Sequence, residues 1–464
     1  MNTKRKTLLS FLICLLCAVL TFAFVACGET TSESESQPPV VESKPQVVVS
    51  GTNGLEYTLS DDGEYYIISG YNGTARKIVC GDYYKDLPIK EIGDNAFRGT
   101  SVETVNVTDG IEKIGEYAFF SCKQLSTLNL GSTVVEIGDY AFSACSSLTN
   151  VILPEGLTTI CDKAFYRTIN LISVSIPETI SSIGCEAFEG CTNLQFSIYD
   201  NAKYLGNTDN KYVALIDCDS EKTSCAVNGN AKVIAGGAFE NLANLTTVTV
   251  ASGVTAIGDR AFNDCSNLED VSLPNTLQTI GTSAFAHCSD LDKINLPASL
   301  VKIGDGAFSH SGLTNAYIPD GVEKIDAYTF NGCLSLTSIE LGLNITEIGA
   351  YAFNDCSALY AVTFKSFSGC KVSSIGAFAF NNCKKLPNRF FMPASVTTVE
   401  ENAFLDTFVS DVYTFHTTSS WAEYKLDSNL ALEGFKIYFF SENEPANDDA
   451  NYFYLDKNGN VVNW

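Results

Sequence analysis

The stretch from residue 257 to residue 274 reads Ile257-Gly258-Asp259-Arg260-Ala261-Phe262-Asn263-Asp264-Cys265-Ser266-Asn267-Leu268-Glu269-Asp270-Val271-Ser272-Leu273-Pro274. Apolar and polar residues alternate near its end, which predicts a short β-strand. Leu268, Val271 and Leu273 are expected to point inward from this strand. Pro274 then ends the strand and begins a turn, because proline cannot donate a backbone hydrogen bond.

The same unit recurs thirteen times along the chain, each copy anchored by a Phe. The anchors are Phe97, Phe119, Phe142, Phe165, Phe188, Phe239, Phe262, Phe285, Phe308, Phe330, Phe353, Phe380 and Phe404. An apolar residue stands five positions before every anchor, and most anchors lie 22 or 23 residues apart. In the quoted copy, Ile257 and Phe262 fill the side opposite the strand, and Gly258 permits a bend that a Cβ atom would obstruct. Leucines at fixed offsets in such a period indicate a β-rich leucine-rich-repeat solenoid. We predict about thirteen coils of stacked parallel strands that bury one continuous core.

Cysteine follows the repeat. Eight cysteines stand three residues after an anchor: Cys122, Cys145, Cys191, Cys265, Cys288, Cys333, Cys356 and Cys383. Other copies place Thr100, Thr168, Leu242, Ser311 or Thr407 there. Interchange with small or apolar residues favours a ladder of buried free thiols over the disulfide framework of an exported protein. Cys218 and Cys225 lie off this ladder, and there both a local disulfide and two free thiols remain open.

The first 26 residues have the pattern of an export signal. Lys4, Arg5 and Lys6 precede an apolar run that ends before Cys27. The sequence Phe24-Val25-Ala26-Cys27 resembles the lipobox of bacterial lipoproteins, with Phe24 in place of the usual Leu. That resemblance implies that residues 1–26 are removed and that Cys27 carries the lipid anchor. The alternatives are an uncleaved membrane helix and simple secretion.

Composition limits the partners of the exported chain. Residues 27–48 are rich in Ser, Glu, Pro and Gln, which predicts a lipidated, disordered tether. The chain carries a formal net charge of −25. This acidity argues against nucleic acid as a partner, since binding a phosphate backbone requires clustered Lys and Arg. It also favours a soluble, monomeric protein that could attract basic partners.

The repeats resemble the BspA-type leucine-rich repeats of bacterial and protozoan surface proteins. The matching pattern is Leu-x-x-Val-x-Leu-Pro followed by Leu-x-x-Ile-Gly-x-x-Ala-Phe-x-x-Cys, from about Pro88 to Phe408. On this resemblance, residues 49–90 form an N-terminal β cap with a hairpin turn at Asp61-Asp62-Gly63. Residues 91–410 form the solenoid, with a strand insertion at about 196–230 that leaves the rod in one piece. Residues 411–464 form a C-terminal cap.

The C-terminal cap holds both tryptophans, Trp421 and Trp464. Asn458-Gly459 predicts a hairpin turn within it. Because a solenoid needs its last apolar coil covered, we interpret both tryptophans as cap residues; a sugar-stacking site is the alternative.

Two sets of residues have types that could bind a metal ion. His287 and His310 occupy one repeat position in successive copies, which suggests a two-His metal site or an exposed pair at a turn. In each copy an apolar residue stands five positions before the Phe anchor. Two positions after that apolar residue, acidic residues recur at Asp94, Glu116, Asp139, Asp162, Asp259, Asp305 and Glu401. Calcium binding and turn capping both fit this column, and the interruptions at Thr282, Ala327, Ala350 and Ala377 favour capping. No nucleotide-binding, nucleophile-elbow or zinc motif is present in the sequence, so we predict no enzyme, no metal and no cofactor.

The outward strand positions form the candidate ligand face. Its members are Thr246, Thr247, Thr249, Glu269, Asp270, Ser272, Asp292, Asn295, Tyr317, Thr337, Glu340 and Tyr360. Short polar side chains lose little entropy on binding, and Tyr is a common interface anchor. The alternative interpretation is a solvated sheet face in which Thr supplies β propensity.

These features predict a non-catalytic protein attached through its lipid to the bacterial cell membrane or cell surface. The family resemblance implies adhesion to an extracellular protein or polysaccharide and names no ligand. The alternatives are a lipoprotein that captures carbohydrate for a transporter or enzyme, and a passive surface spacer.

Overall fold

The computed structural model describes residues 51–366, 369–424, 433–445, 450–456 and 461–463. The signal, Cys27, the tether, Asn458-Gly459 and Trp464 lie outside the described residues. Residues Val47–Trp464 form one compact unit. Within the described part of the chain, no helix has both the length and the apolar character needed to cross a membrane.

The unit opens with the expected β-hairpin. Its strands are β1 (Leu55–Leu59), β2 (Tyr66–Tyr71), β3 (Lys77–Cys80), β4 (Tyr83–Tyr84) and β5 (Leu87–Ile92). Strands β1 and β2 pair antiparallel, which confirms the hairpin, and β2 then pairs parallel with β5. The hairpin therefore covers the end of the first sheet of the solenoid.

Each regular coil contributes one longer and one two-residue strand. Before the insertion these are β6 (Thr104–Val107), β7 (Lys113–Ile114), β8 (Thr127–Asn129), β9 (Glu136–Ile137), β10 (Asn150–Ile152), β11 (Thr159–Ile160), β12 (Ser173–Ser175) and β13 (Ser182–Ile183). Among the longer strands β6 pairs in parallel with β8, and β10 with β12, whereas the short strands β7, β9, β11 and β13 pair in parallel without a break. The two columns of strands therefore belong to separate sheets.

The insertion and the second run of coils follow. The insertion contains β14 (Ser197–Tyr199), β15 (Ala202–Leu205) and β16 (Ala214–Cys218). The later coils contain β17 (Ser224–Ala226), β18 (Val233–Ile234), β19 (Thr247–Thr249), β20 (Ala256–Ile257), β21 (Asp270–Ser272), β22 (Thr279–Ile280), β23 (Lys302–Ile303), β24 (Asn315–Tyr317), β25 (Lys324–Ile325), β26 (Ser338–Leu341), β27 (Glu347–Ile348), β28 (Ala361–Phe364), β29 (Ser374–Ile375), β30 (Arg389–Met392) and β31 (Thr398–Val399).

The C-terminal segment extends the stack beyond the last Phe anchor. It contains β32 (Asp411–Thr414), α1 (Thr418–Glu423), β33 (Lys436–Phe440), β34 (Asn451–Leu455) and β35 (Val461–Asn463). Strands β30, β32, β33 and β34 pair parallel, and β35 returns antiparallel on β34. The solenoid therefore has about sixteen turns, so the expected thirteen was too low. The count of Phe anchors missed coils that lack one, such as those of β3 and β17.

The core is a ladder of stacked side chains. Neighbouring Phe anchors within each run lie parallel, with ring centroids 4.7–5.6 Å apart. Such offset stacking contributes about 0.5–1.5 kcal/mol per pair beyond the burial of area. The rings are almost fully buried, so each coil is stabilised by the coil on either side of it.

The bend around each anchor depends on residues other than the expected glycine. Two positions per coil, two residues before and two residues after the Phe, have positive φ; around Phe262 they are Arg260 (φ 52) and Asp264 (φ 58). Gly258 is required for a different reason. A Cβ atom there would lie 2.5 Å from the backbone nitrogen of Gly236 in the preceding coil. This glycine therefore allows close packing of coils.

The expected thiol ladder is present. Each of the eight ladder cysteines is free and buried, and its Sγ donates to the carbonyl of the Phe anchor in the preceding coil at 2.9–3.2 Å. Thr168 makes the same bond through its hydroxyl, at 2.9 Å to Phe142 O. A buried side chain that can donate a hydrogen bond suits this position, which explains the exchange of Cys with Thr, although Leu242 fills the same position without a donor.

Candidate ligand-binding face

The candidate residues lie on the outer side of the longer strands, which we call the ribbon. Thr247 pairs with Asp270 and Thr249 with Ser272 across β19 and β21. Farther along, Tyr317 pairs with Glu340 across β24 and β26. Neighbouring strands of a sheet lie about 4.8 Å apart, so these side chains form rows along the rod. All of those just named are exposed.

Two ribbon hydroxyls are already used within the fold. Thr246 donates to the carbonyl of Thr223 at 2.9 Å, and Thr337 donates to the carbonyl of Thr314 at 2.8 Å. Each of these hydrogen bonds links one coil to the preceding coil, and both threonine side chains are half-buried. These two candidates therefore have a structural role that the sequence pattern did not distinguish from ligand binding.

The ribbon is not one uninterrupted sheet. Residues 291–297 form no strand, so β17, β19 and β21 make one sheet and β24, β26 and β28 another. Asp292 and Asn295 lie in the interval, where both are exposed. The interval is still hydrogen-bonded to the following coil, because Thr314 N donates to Asp292 O at 2.9 Å.

Negative charge concentrates at this interval. Glu269, Asp270, Asp290, Asp292 and Lys293 line an open depression of about 590 Å³. Four carboxylates and one ammonium give it a negative potential, and all five side chains are exposed. A surface of this kind attracts cationic groups at a distance.

The two tyrosines of the ribbon differ in their surroundings. Tyr317 is 41% exposed, but Lys365 donates to its hydroxyl at 3.2 Å and lies 5.8 Å from the centre of its ring. Lys365 also binds Asp320 at 2.6 Å. Tyr360 is 58% exposed, so it is the more available aromatic contact.

The ribbon before the insertion is uncharged over several coils and bonded to itself. Asn129 donates to the side-chain oxygen of Asn106 at 2.6 Å, and Ser173 donates to that of Asn150 at 2.7 Å. Such inter-coil bonds occupy donors and acceptors that a ligand would need. The acidic part after the insertion therefore offers more unoccupied polar groups.

The residues considered for metal binding are arranged for structure. His287 and His310 are exposed and stack with ring centroids 4.8 Å apart. In the acidic column, Asp94, Asp139, Asp162 and Asp259 accept a backbone N–H from the following coil at 2.7–2.8 Å. These bonds are the capping interactions expected of the column. Within the described ranges, no group of three or more His, Cys, Asp or Glu side chains is placed to hold a metal ion.

The insertion forms a crevice that the sequence did not suggest. Its volume is about 470 Å³, and its lining includes Phe188, Phe196, Ile216 and the Lys203–Asp217 ion pair of 2.6 Å. The only available signal was the spacing of 51 residues between Phe188 and Phe239. That spacing showed where the repeat breaks, but not that the break leaves a cavity.

The C-terminal cap covers the last coils on both sides of the sheet. Trp421 is 3% exposed and packs edge-on against Phe439, as expected of a cap residue. On the outer side, Phe453 packs against Tyr413 and Phe440 at 5.2 and 5.5 Å. The cap therefore replaces the polar ribbon with buried aromatic rings, which the sequence analysis did not anticipate.

Several solved structures are similar to this chain. A leucine-rich repeat protein from Bacteroides ovatus is 21% identical, with a TM-score of 0.36 over 84% of this chain and 99% of that one. A leucine rich cell surface protein from Faecalibacterium prausnitzii is 23% identical, with a TM-score of 0.30 over 68% and 94%. The pneumococcal vaccine antigen PcpA is 21% identical, with a TM-score of 0.28 over 83% and 78%.

No curated protein sequence matches the chain significantly. The sequence model of the family described as BspA type leucine rich repeat region, in contrast, matches in six copies. The matches span residues 87–209, 217–337 and 301–433, which is well over half of the chain. The chain therefore belongs to the BspA-type leucine-rich repeat family.

Proposed function

We propose that this chain is a non-catalytic bacterial surface protein that binds an extracellular protein through the acidic part of its ribbon. The observation that carries the proposal is the exposed row of Glu269, Asp270 and Asp292 beside Asp290. A partner that presents Lys or Arg side chains complements this charge. The regular spacing of the coils allows several such contacts to form at once.

A polysaccharide is the alternative ligand, in a lipoprotein that captures carbohydrate for a transporter or enzyme. A neutral glycan needs free hydroxyl and amide groups, whereas Thr246, Thr337, Asn129 and Asn150 already bond within the fold. The acidic ribbon therefore favours a basic protein over a neutral glycan. A passive surface spacer predicts no saturable binding of either.

Location at the cell surface is the second part of the proposal. The BspA-type family to which the chain belongs consists of bacterial surface proteins. The lipobox-like residues 24–27 support attachment through a lipid on Cys27. Cells given radiolabelled palmitate should label the wild-type chain, and Cys27→Ala should lose both the label and the membrane fraction. Equal labelling of the variant would contradict lipidation at Cys27.

The test of binding uses the exported chain from Gly28 onward, which keeps every described residue. It is screened against extracellular matrix proteins, soluble oligosaccharides and a polylysine probe. Saturable protein binding that weakens as salt rises supports the proposal. Binding only to oligosaccharides favours capture, and binding to neither panel favours the spacer.

The matched variants change charge beside the two different columns of strands. The double substitution Asp270→Lys with Asp292→Lys reverses the charge at two positions of the ribbon. We expect it to lower the affinity for the bound protein at least about tenfold. Asp305→Lys with Glu323→Lys makes the same change of net charge beside the short strands, where both side chains are exposed. Equal losses in the two variants would show a net-charge effect and contradict a ribbon site.

A further inference from the structure

Cys218 and Cys225 are held together by the insertion. Cys218 ends β16, Cys225 is the middle residue of β17, and both side chains belong to one buried cluster, where each thiol shifts the pKa of the other. Both residues are buried, at 4% and 3% exposure. The connecting turn is fixed by Asp219, whose carboxylate accepts from Glu221 N at 3.1 Å. Asp200 fixes the other side, because its carboxylate accepts from the backbone N of Ala226 at 2.7 Å.

This pair differs chemically from the thiol ladder. Burial raises the pKa of Cys265 to about 12, and ladder thiols such as Cys265 donate to a backbone carbonyl. The neighbouring thiol of Cys225 instead lowers the pKa of Cys218, and the thiol of Cys218 raises the pKa of Cys225. Cys218 also lines an open crevice of about 650 Å³ together with Asp219 and Ser220. It is therefore the thiol of the pair that a small reagent reaches first.

We propose that Cys218 and Cys225 form an intramolecular disulfide on reaction with an oxidised low-molecular-weight disulfide. The Cys218 thiolate attacks one sulfur of the reagent, whose S–S bond breaks and releases a thiolate that takes up a proton. The Cys225 sulfur, losing its proton, then attacks Sγ of Cys218 and releases the second half as a thiol. The two protein thiols lose two electrons, and the reagent gains them. The product joins the insertion covalently to the first coil after it.

The sequence supplies a direct readout of this bond. Trypsin cleaves after Lys211, Lys222 and Lys232, so the fragments 212–222 and 223–232 each contain one cysteine of the pair. The full chain is incubated in a glutathione redox buffer, blocked with iodoacetamide in denaturant, digested and analysed by mass spectrometry. We expect one linked species of these two fragments, with the ladder cysteines alkylated.

Three results would overturn the proposal. They are two singly alkylated fragments in oxidising buffer, a glutathione adduct that persists on Cys218, and a link from either fragment to another cysteine. Cys225→Ala should trap glutathione on Cys218. Cys218→Ala should form an adduct on Cys225 at least about tenfold more slowly, because Cys218 lines the crevice and Cys225 does not. The ladder variant Cys265→Thr should leave the link unchanged.

Discussion

The coils that carry Phe239, Phe262 and Phe285 repeat one set of contacts, whereas residues 189–238 replace that set with individual ones. Phe262 stacks on a ring at each side, at 4.7 and 4.9 Å. Phe188 and Phe239 bound the insertion, and among the described residues each stacks with one other anchor only. Regular coils are therefore stabilised by neighbours of the same kind, and the insertion by contacts of its own.

The insertion also divides the core. The buried apolar residues form two clusters, of which the earlier also takes in Val233, Ala235 and Ala256 from the coils after the insertion. Residues of β15 and β16 serve both, since Tyr204 and Leu215 belong to the later cluster while Leu205 and Ala214 belong to the earlier one. The backbone nevertheless continues across the insertion, because Gly236 N donates to Ile183 O at 2.8 Å. The rod is thus continuous in its backbone but not in its core.

The largest expected effect is on the free energy of unfolding, and it differs between a Phe anchor inside a regular run of coils and one at the edge of the insertion. Phe262→Ala should lower the free energy of unfolding by about 3–5 kcal/mol, because it leaves a cavity and removes two stacked pairs. The loss for Phe188→Ala should be smaller than the loss for Phe262→Ala by about 0.5–1.5 kcal/mol, because Phe188 has one stacked pair instead of two. Urea unfolding followed by circular dichroism measures both values. An equal or larger loss of stability for Phe188→Ala would contradict a contribution of the second stacked pair.

The next effect concerns the approach of one coil to another. Gly258→Ala should destabilise the protein by about 1–3 kcal/mol, because the new Cβ atom meets backbone that cannot move aside. Gly229→Ala is the matched control beside the insertion, where a Cβ atom would meet nothing within 4 Å. It should leave stability unchanged or slightly higher, because alanine restricts the unfolded chain. If both substitutions lower the melting temperature equally, close packing is not the reason for the glycine.

An effect of similar size distinguishes a hydrogen bond that occurs once from one that recurs in many coils. The hydroxyl oxygen of Tyr204 accepts from the backbone N of Asn228 at 3.1 Å inside the insertion. Tyr204→Phe should cost about 1–3 kcal/mol by leaving that N–H unsatisfied. Cys265→Thr should change stability by less than about 1 kcal/mol, because Thr168 already makes the ladder bond elsewhere. If calorimetry gave similar losses of stability for Tyr204→Phe and Cys265→Thr, the ladder position would depend on Cys as strictly as the insertion depends on Tyr204.

The same contrast explains what the sequence could predict. Phe262 and Cys265 were placed correctly because their positions recur, and any copy tests the inference drawn from another. Tyr204 and Lys365 occur once in their roles, so no internal comparison exposes the contacts of Tyr204 with Asn228 or of Lys365 with Tyr317. The ribbon was predicted as a face for this reason, but the hydroxyl of Thr246 bonds to the preceding coil through an interaction that composition does not reveal.

The smallest effect is on reactivity and needs reduced protein. The thiolate is the nucleophile, so a lowered pKa gives Cys218 more thiolate at a given pH, while Cys265, with a pKa of about 12, stays protonated through pH 10. Native alkylation should therefore label Cys218 first as pH rises from 7 to 9, and leave Cys265 unlabelled. Cys225→Ala removes the neighbouring thiol and should move the labelling of Cys218 to higher pH. If Cys218 and Cys265 were labelled with the same pH profile, the thiol pair would not distinguish the insertion from the ladder, and burial alone would set the chemistry of both.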